Sequence, residues 1–184
     1  AQLLDVMDTI PQEGHHFVVL HIMGSHLRYG DRYPTGFPVI PGNNKKISEY
    51  DTSIAYTDHI LQKMTEKARE TLHASVIMYV SDHSEDMKYT HGTGHFTFDM
   101  TRIPLWIYLS PSYQQKYKKK AESLRRHESC VFTNDLVFDT LCGLIGADNY
   151  GRTEAYDLSS PSYALTEKEA LTMHGKVRIS DDVH

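Results

Sequence analysis

Apolar positions in this chain fall in short runs separated by polar and glycine-rich stretches. Residues 15–23, HHFVVLHIM, form a β-branched run after Gly14, too short for a helix and patterned as a buried central strand. Pro34, Pro38 and Pro41 then interrupt a glycine-containing stretch up to Asn44, which predicts a loop. Ser48 is placed to cap a helix reaching about Glu70, with Ile54, Leu61, Met64 and Ala68 near helical spacing. Residues 74–80 predict a second buried strand, which gives way at once to the polar string Ser81, Asp82, His83, Ser84, Glu85, Asp86. A third strand is expected at 103–109, with Pro104 near its start. Residues 112–128 read as a mostly polar helix. Asn134 reads as the cap of an apolar one that carries Leu136, Val137, Leu141, Leu144 and Ile145 and stops at Gly146. This alternation of strands and helices predicts an α/β fold. Beyond Ala147 the chain turns polar, with a short helix expected at 167–173 and a strand at 176–179.

Composition narrows the class. With 184 residues, 40% of them apolar and only two cysteines, the chain can bury a core without disulfides, and neither disorder nor a disulfide scaffold is expected. Cys130 and Cys142 read as buried thiols rather than a bridge. No apolar run approaches the ~18–20 residues of a membrane span, and the first residues show no export signal. A net charge of −5 argues against a nucleic-acid partner. Lys116, residues 118–120, Arg125 and Arg126 form a basic helix. It reads as a solvated face, with anionic headgroups as the alternative contact.

Histidine changes the picture, because the chain has 12 of them and several follow predicted strands. Open α/β sheets bind ligands beyond the carboxyl ends of their strands. His26 follows the first strand, Asp82 and His83 follow the second directly, and His91 lies in the loop leading to the third. Asp and His are ligands that zinc and manganese both accept, and spacing alone chooses neither ion. The plain alternative is that a strand-end Asp caps a turn and a lone His is a satisfied polar residue. His21 and His95 are further candidates; His21 reads equally as a core histidine or as one facing a phosphate. Asp58 and Trp106 read as structural.

Five motifs in order carry a resemblance: VLHIMGSH at 19–26, YDTSIAYTD at 50–58, YVSDH at 79–83, HGT at 91–93 and IPLW at 103–106. Together they resemble the phosphoethanolamine transferases of Gram-negative bacteria, in the sulfatase and alkaline-phosphatase-like superfamily. FTND at 132–135, LCG at 141–143 and HGK at 174–176 look most like the branch acting on the lipopolysaccharide core. The resemblance implies an alkaline-phosphatase-like, predominantly parallel sheet flanked by helices, of which residues 1–184 form the carboxyl-terminal part. Residues 1–14 are a lead-in, 15–150 the matching core and 151–184 a polar extension. It implies transfer of phosphoethanolamine from phosphatidylethanolamine to lipid A or the lipopolysaccharide core, at the periplasmic face of the inner membrane, where the membrane anchor lies in an upstream part.

By the same resemblance, Asp82 and His83 bind a zinc, or manganese or another divalent metal, while His26 and His91 face the phosphate or a second metal. The nucleophilic threonine and a metal-binding glutamate match nothing here, so the chain alone is expected to be inactive and to pair with the missing amino-terminal half or another copy of itself. Ser84 stands where the family often has glycine. A sulfatase or phosphodiesterase of the same superfamily, and a non-catalytic metal-binding fragment, are the competing readings.

Overall fold

In a computed structural model, residues 2–92, 94–147 and 151–183 are described, and the chain divides into two compact units, 1–74 and 75–184. The first unit is helical. A short helix α1 (Gln2–Met7) packs its Met7 inward, and α2 (Lys45–Glu70) is the long helix expected from the sequence. Lys67 of α2 ties the two together, donating from Nζ to the Leu4 carbonyl at 2.8 Å and pairing with Asp8 at 2.5 Å. The helix begins three residues earlier than Ser48 because Asn44 is the better-placed cap: its side chain accepts from the Ile47 N–H at 3.0 Å. Ser48 instead donates to the Ile40 carbonyl at 2.7 Å, and Thr52 accepts from the Ile40 N–H at 2.9 Å, so two hydroxyls of α2 clasp the preceding loop. Edge-on aromatic pairs, Tyr29 with Tyr50 and Phe37 with Tyr56, close that loop on the helix.

The strand expected at 15–23 is not formed. Phe17 is 62% and Val19 75% exposed, and the segment has no regular structure. A central strand takes hydrogen bonds from neighbours on its edges, and among the described residues no segment pairs with this one. The apolar run satisfies the pattern of a strand without the ladder that makes one.

In the second unit, β1 (Val76–Val80) and β2 (Leu105–Leu109) fall inside the two expected strands. Their β-branched and aromatic residues suit a pleated surface, and Tyr79 opposite Trp106 puts two rings 5.9 Å apart. The pairing is antiparallel, in the register Val76 with Leu109 through Val80 with Leu105. Strands and helices are mixed as expected, but among the described residues no parallel strand pairing is seen. The strand pairings among the described residues are this one and a short antiparallel pair, β3 (Leu171–Thr172) with β4 (Val177–Arg178). The helix expected at 167–173 is accordingly replaced by turns and β3.

The polar stretch 112–128 forms two helices, α3 (Pro111–Lys116) and α4 (Lys118–Arg126), broken at Tyr117, whose ψ of 49° leaves the helical region. Helix α5 (Val137–Ile145) ends as expected at Gly146, in the left-handed conformation at φ 73°, with the Ala147 N–H reaching back to the Cys142 carbonyl. Asn134 does not cap it and opens a 3-10 turn instead. Cys142 is buried as expected, whereas Cys130 is exposed; both are free thiols.

The core of this unit lies around α5 and is partly polar. Tyr113 reaches the Leu144 carbonyl at 2.5 Å, and burial pushes its phenol up to about 12. Tyr163, bonded to the Val131 carbonyl, is likewise pushed up to about 12 by burial. Asp157, 1% exposed, pairs with Arg152 at 2.8 Å, takes the Ser159 N–H and hydroxyl, and lies so close to α5 that a Cβ on Gly143 would meet its Oδ2 at 1.9 Å. The polar carboxyl-terminal residues are thus built into the unit through buried polar contacts rather than trailing from it. No described helix is long and apolar enough to cross a membrane.

Candidate functional site

The loop leaving β1 begins as the strand's apolar side chains end, and its backbone is pinned from both sides. The Ser81 N–H bonds the Pro104 carbonyl at 3.3 Å and the Ser84 N–H bonds the Met100 carbonyl at 2.8 Å, so the loop continues the edge of the β1–β2 pair. Between those anchors sit Asp82 and His83. Asn134 donates its amide to the Asp82 carbonyl, and the Ser81 hydroxyl donates to the His83 carbonyl at 2.8 Å. Sequence reasoning treated Asn134 as a helix cap, and its role in this loop has no local signal, since the two residues lie 52 positions apart.

The side chains are set by their own bonds. Asp82 Oδ1 accepts the His83 N–H at 3.0 Å, and its side chain is 87% exposed. His83 Nδ1 lies 2.8 Å from the Ser84 carbonyl. A carbonyl only accepts, so Nδ1 carries the proton and Nε2 the lone pair in the neutral ring. That Nε2 is 3.9 Å from Asp82 Oδ2, a span that one ion with bonds of ~2.0–2.1 Å can bridge. Burial and the Asp82 charge together hold the Tyr79 phenol above its ordinary value.

His91 joins this pair. Its ring centroid lies 4.2 Å from that of His83, so the structure brings together three of the four residues singled out from the sequence. Glu85 places it: the carboxylate takes the His91 N–H at 2.6 Å on Oε1 and the ring Nδ1 at 2.9 Å on Oε2. Glu85 was not singled out as a site residue, although its position between Asp82-His83 and His91 in the polar string was the available signal. Asp86, next in the chain, organises the rest of the loop by accepting from the Lys88 and Tyr89 N–H groups at 2.7 and 2.9 Å and from the Thr97 hydroxyl at 2.8 Å. The Tyr89 and Thr97 bonds chiefly hold its carboxyl below the usual carboxylate range.

Of the remaining candidates, His21 and His26 belong to the first unit and both are exposed. His95 stacks on the Tyr89 ring at 5.1 Å, a packing contact in the same loop. Among the described residues no three His, Cys, Asp or Glu side chains are grouped to hold a metal. Asp82 and His83 fit such an ion as half of a ligand set, one oxygen and one nitrogen donor facing the same space.

Known proteins share this arrangement of sequence and fold. Phosphoethanolamine transferase EptA of Salmonella typhimurium is 30% identical over 186 residues, covering 90% of this chain and 34% of that protein. The Kdo(2)-lipid A phosphoethanolamine 7''-transferase of Escherichia coli is 28% identical over 160 residues, covering 73% of this chain and 27% of that protein. The chain therefore spans about a third of the length of the curated relatives it matches. The fold is that of the carboxyl-terminal periplasmic domain of EptC from Campylobacter jejuni, with a TM-score of 0.67 at 24% identity over 87% of this chain and 56% of that one. The corresponding Escherichia coli domain in complex with Zn gives 0.63 at 20% identity, over 78% of this chain and 45% of that one. The alkaline-phosphatase-like α/β class expected from the sequence is thus the class of the solved relatives, even though the strands paired within this chain are antiparallel. The Sulfatase profile matches residues 1–147, from α1 through the loop of Asp82, His83 and His91 to the end of α5, and the chain belongs to the Sulfatase family.

Proposed function

We propose that this chain is the carboxyl-terminal part of the catalytic domain of a phosphoethanolamine transferase, which moves phosphoethanolamine from phosphatidylethanolamine to lipid A or the lipopolysaccharide core at the periplasmic face of the inner membrane. The observation that carries this reading is the meeting of Asp82, His83 and His91 in one loop within a sequence 30% identical to an EptA transferase. Asp82 Oδ2 and His83 Nε2 are the atoms that would hold a divalent metal, zinc or manganese. The Zn complex of a solved relative favours zinc. A bound ion there supplies positive charge to phosphoryl oxygens as charge builds on them.

The protein's own groups do the rest. Asn134 and Ser81 fix the backbone of the ligand pair, and the Ser84 carbonyl keeps the His83 proton on Nδ1, so that the nitrogen facing Asp82 offers a lone pair. His91 stands beside them, and the family resemblance gives it and His26 the role of facing the phosphate or a second metal. The threonine that carries the phosphoethanolamine, the remaining metal ligands and the membrane anchor are assigned to parts of the enzyme outside these 184 residues.

Asp82→Ala and His83→Ala in the full-length enzyme test the reading. Lipid A from cells expressing either variant should carry no added phosphoethanolamine by mass spectrometry. Wild-type modification in both would remove the ligand pair from the mechanism, and release of free phosphoethanolamine without an acceptor product would show a hydrolase instead.

A further inference from the structure

His83 and His91 come from opposite ends of one loop, yet each ring is bonded through Nδ1, His83 to a carbonyl and His91 to a carboxylate. The carboxylate is the less ordinary partner. The Glu85 side chain is 4% exposed, and both of its oxygens reach His91, Oε1 taking the main-chain N–H and Oε2 the ring. A buried carboxylate is costly unless hydrogen bonds compensate it, and holding His91 from two sides supplies such bonds. The two contacts also remove two freedoms at once: the main-chain bond fixes where the residue stands and the ring bond fixes its χ rotation and its tautomer.

We infer that Glu85 is the positioning residue of this site: it locks His91 as the Nδ1–H tautomer against His83, so that both imidazoles present Nε2, with its lone pair, to the same cation. The geometry is that of a carboxylate orienting an imidazole from behind, and loss of such a partner typically changes affinity or activity 10–100-fold. The assignment rests on the transferase reading for what the histidines touch, and on the hydrogen bonds alone for what Glu85 does.

The test separates the two. Nitrogen-15 imidazole spectra of the metal-free 184-residue chain at alkaline pH, where histidine is neutral, report which nitrogen of His91 bears the proton. The wild-type chain should show the Nδ1–H form as the majority. Glu85→Gln, which keeps one accepting oxygen, should show an intermediate share, and Glu85→Leu should revert to the Nε2–H form that an unconstrained imidazole favours. A wild-type His91 that is already Nε2–H overturns the inference without any variant, and so does an unchanged tautomer in a folded Glu85→Leu chain. In the full-length enzyme, Glu85→Gln should lower kcat 10–100-fold with KM little changed. Equal losses in Asp82→Ala and His83→Ala but none in Glu85→Gln would leave the transferase reading standing and remove the role given to Glu85.

Discussion

At Gly143 the chain leaves no room for any side chain, since the Asp157 carboxylate occupies the volume a methyl group would need. Gly143→Ala must therefore push Asp157 off α5 and open its pair with Arg152. Breaking a buried pair of this kind costs about 3–5 kcal/mol, and urea unfolding of the variant should show a loss of that size with an unchanged slope. Asp86 gives a second test, this time with pH. The Tyr89 and Thr97 bonds favour its ionised form, so its folded value lies below the unfolded one, near 3.9. The stabilisation it gives the His91 loop is present above about pH 4 and lost as pH falls through the lower folded value. Amide signals of Lys88 and Tyr89 should move with a midpoint below that of an ordinary Asp, and Asp86→Asn should abolish the transition. A midpoint at or above about 4 would contradict the bonding. Asp82 and His83 were legible because their residue types advertise their chemistry at a strand's end, and His91 because it lies in the loop that leads to the next strand. Glu85 and Asn134 were not, because what they do is decided by which distant group they meet.

Among the elements, those stabilised locally were readable. Helix α2 is specified by its own spacing, and the misplaced start follows from two polar residues four positions apart that can each cap, Asn44 and Ser48, of which the structure uses the first. Asn44→Ala should destabilise the first turn by about 1 kcal/mol and speed amide exchange near Ile47. Ser48→Ala, which loses a bond to the loop rather than to the helix, should leave that exchange unchanged. The end of α5 at Gly146 was readable for the same reason, a left-handed stop that glycine takes without strain. Segment 15–23 was misread because strand formation is a property of pairs. Its residues meet every local condition, and the hydrogen bonds that decide the matter come from another segment. The seating of Thr153 and Leu158 on α5 depends on the Asp139 and Thr140 side chains bonding their backbone N–H groups, a pattern that hydrophobic periodicity does not register.

On the scale of the whole chain, the same unpaired run has a measurable effect. Phe17, Val19, Met23 and Val39 are all exposed in the first unit, apolar side chains that water does not favour. Light scattering should give a mass that rises above 21.1 kDa with concentration, and the double variant Phe17→Asp with Val19→Lys should restore the monomer. A wild-type chain that is monomeric at every concentration would show that these side chains are tolerated as they stand. The second unit carries its own reporter of integrity. Tyr113 and Tyr163 ionise only near 12 while folded, whereas an unfolded tyrosine does so near 10. Their stabilising share is complete below the unfolded value and vanishes as pH climbs through the folded one. Of the 12 tyrosines, these two should therefore stay dark in the near-ultraviolet phenolate band after exposed ones have lit up. Their late appearance would act as an optical fuse, timing the alkaline opening of the core around α5 in a protein that carries no added label.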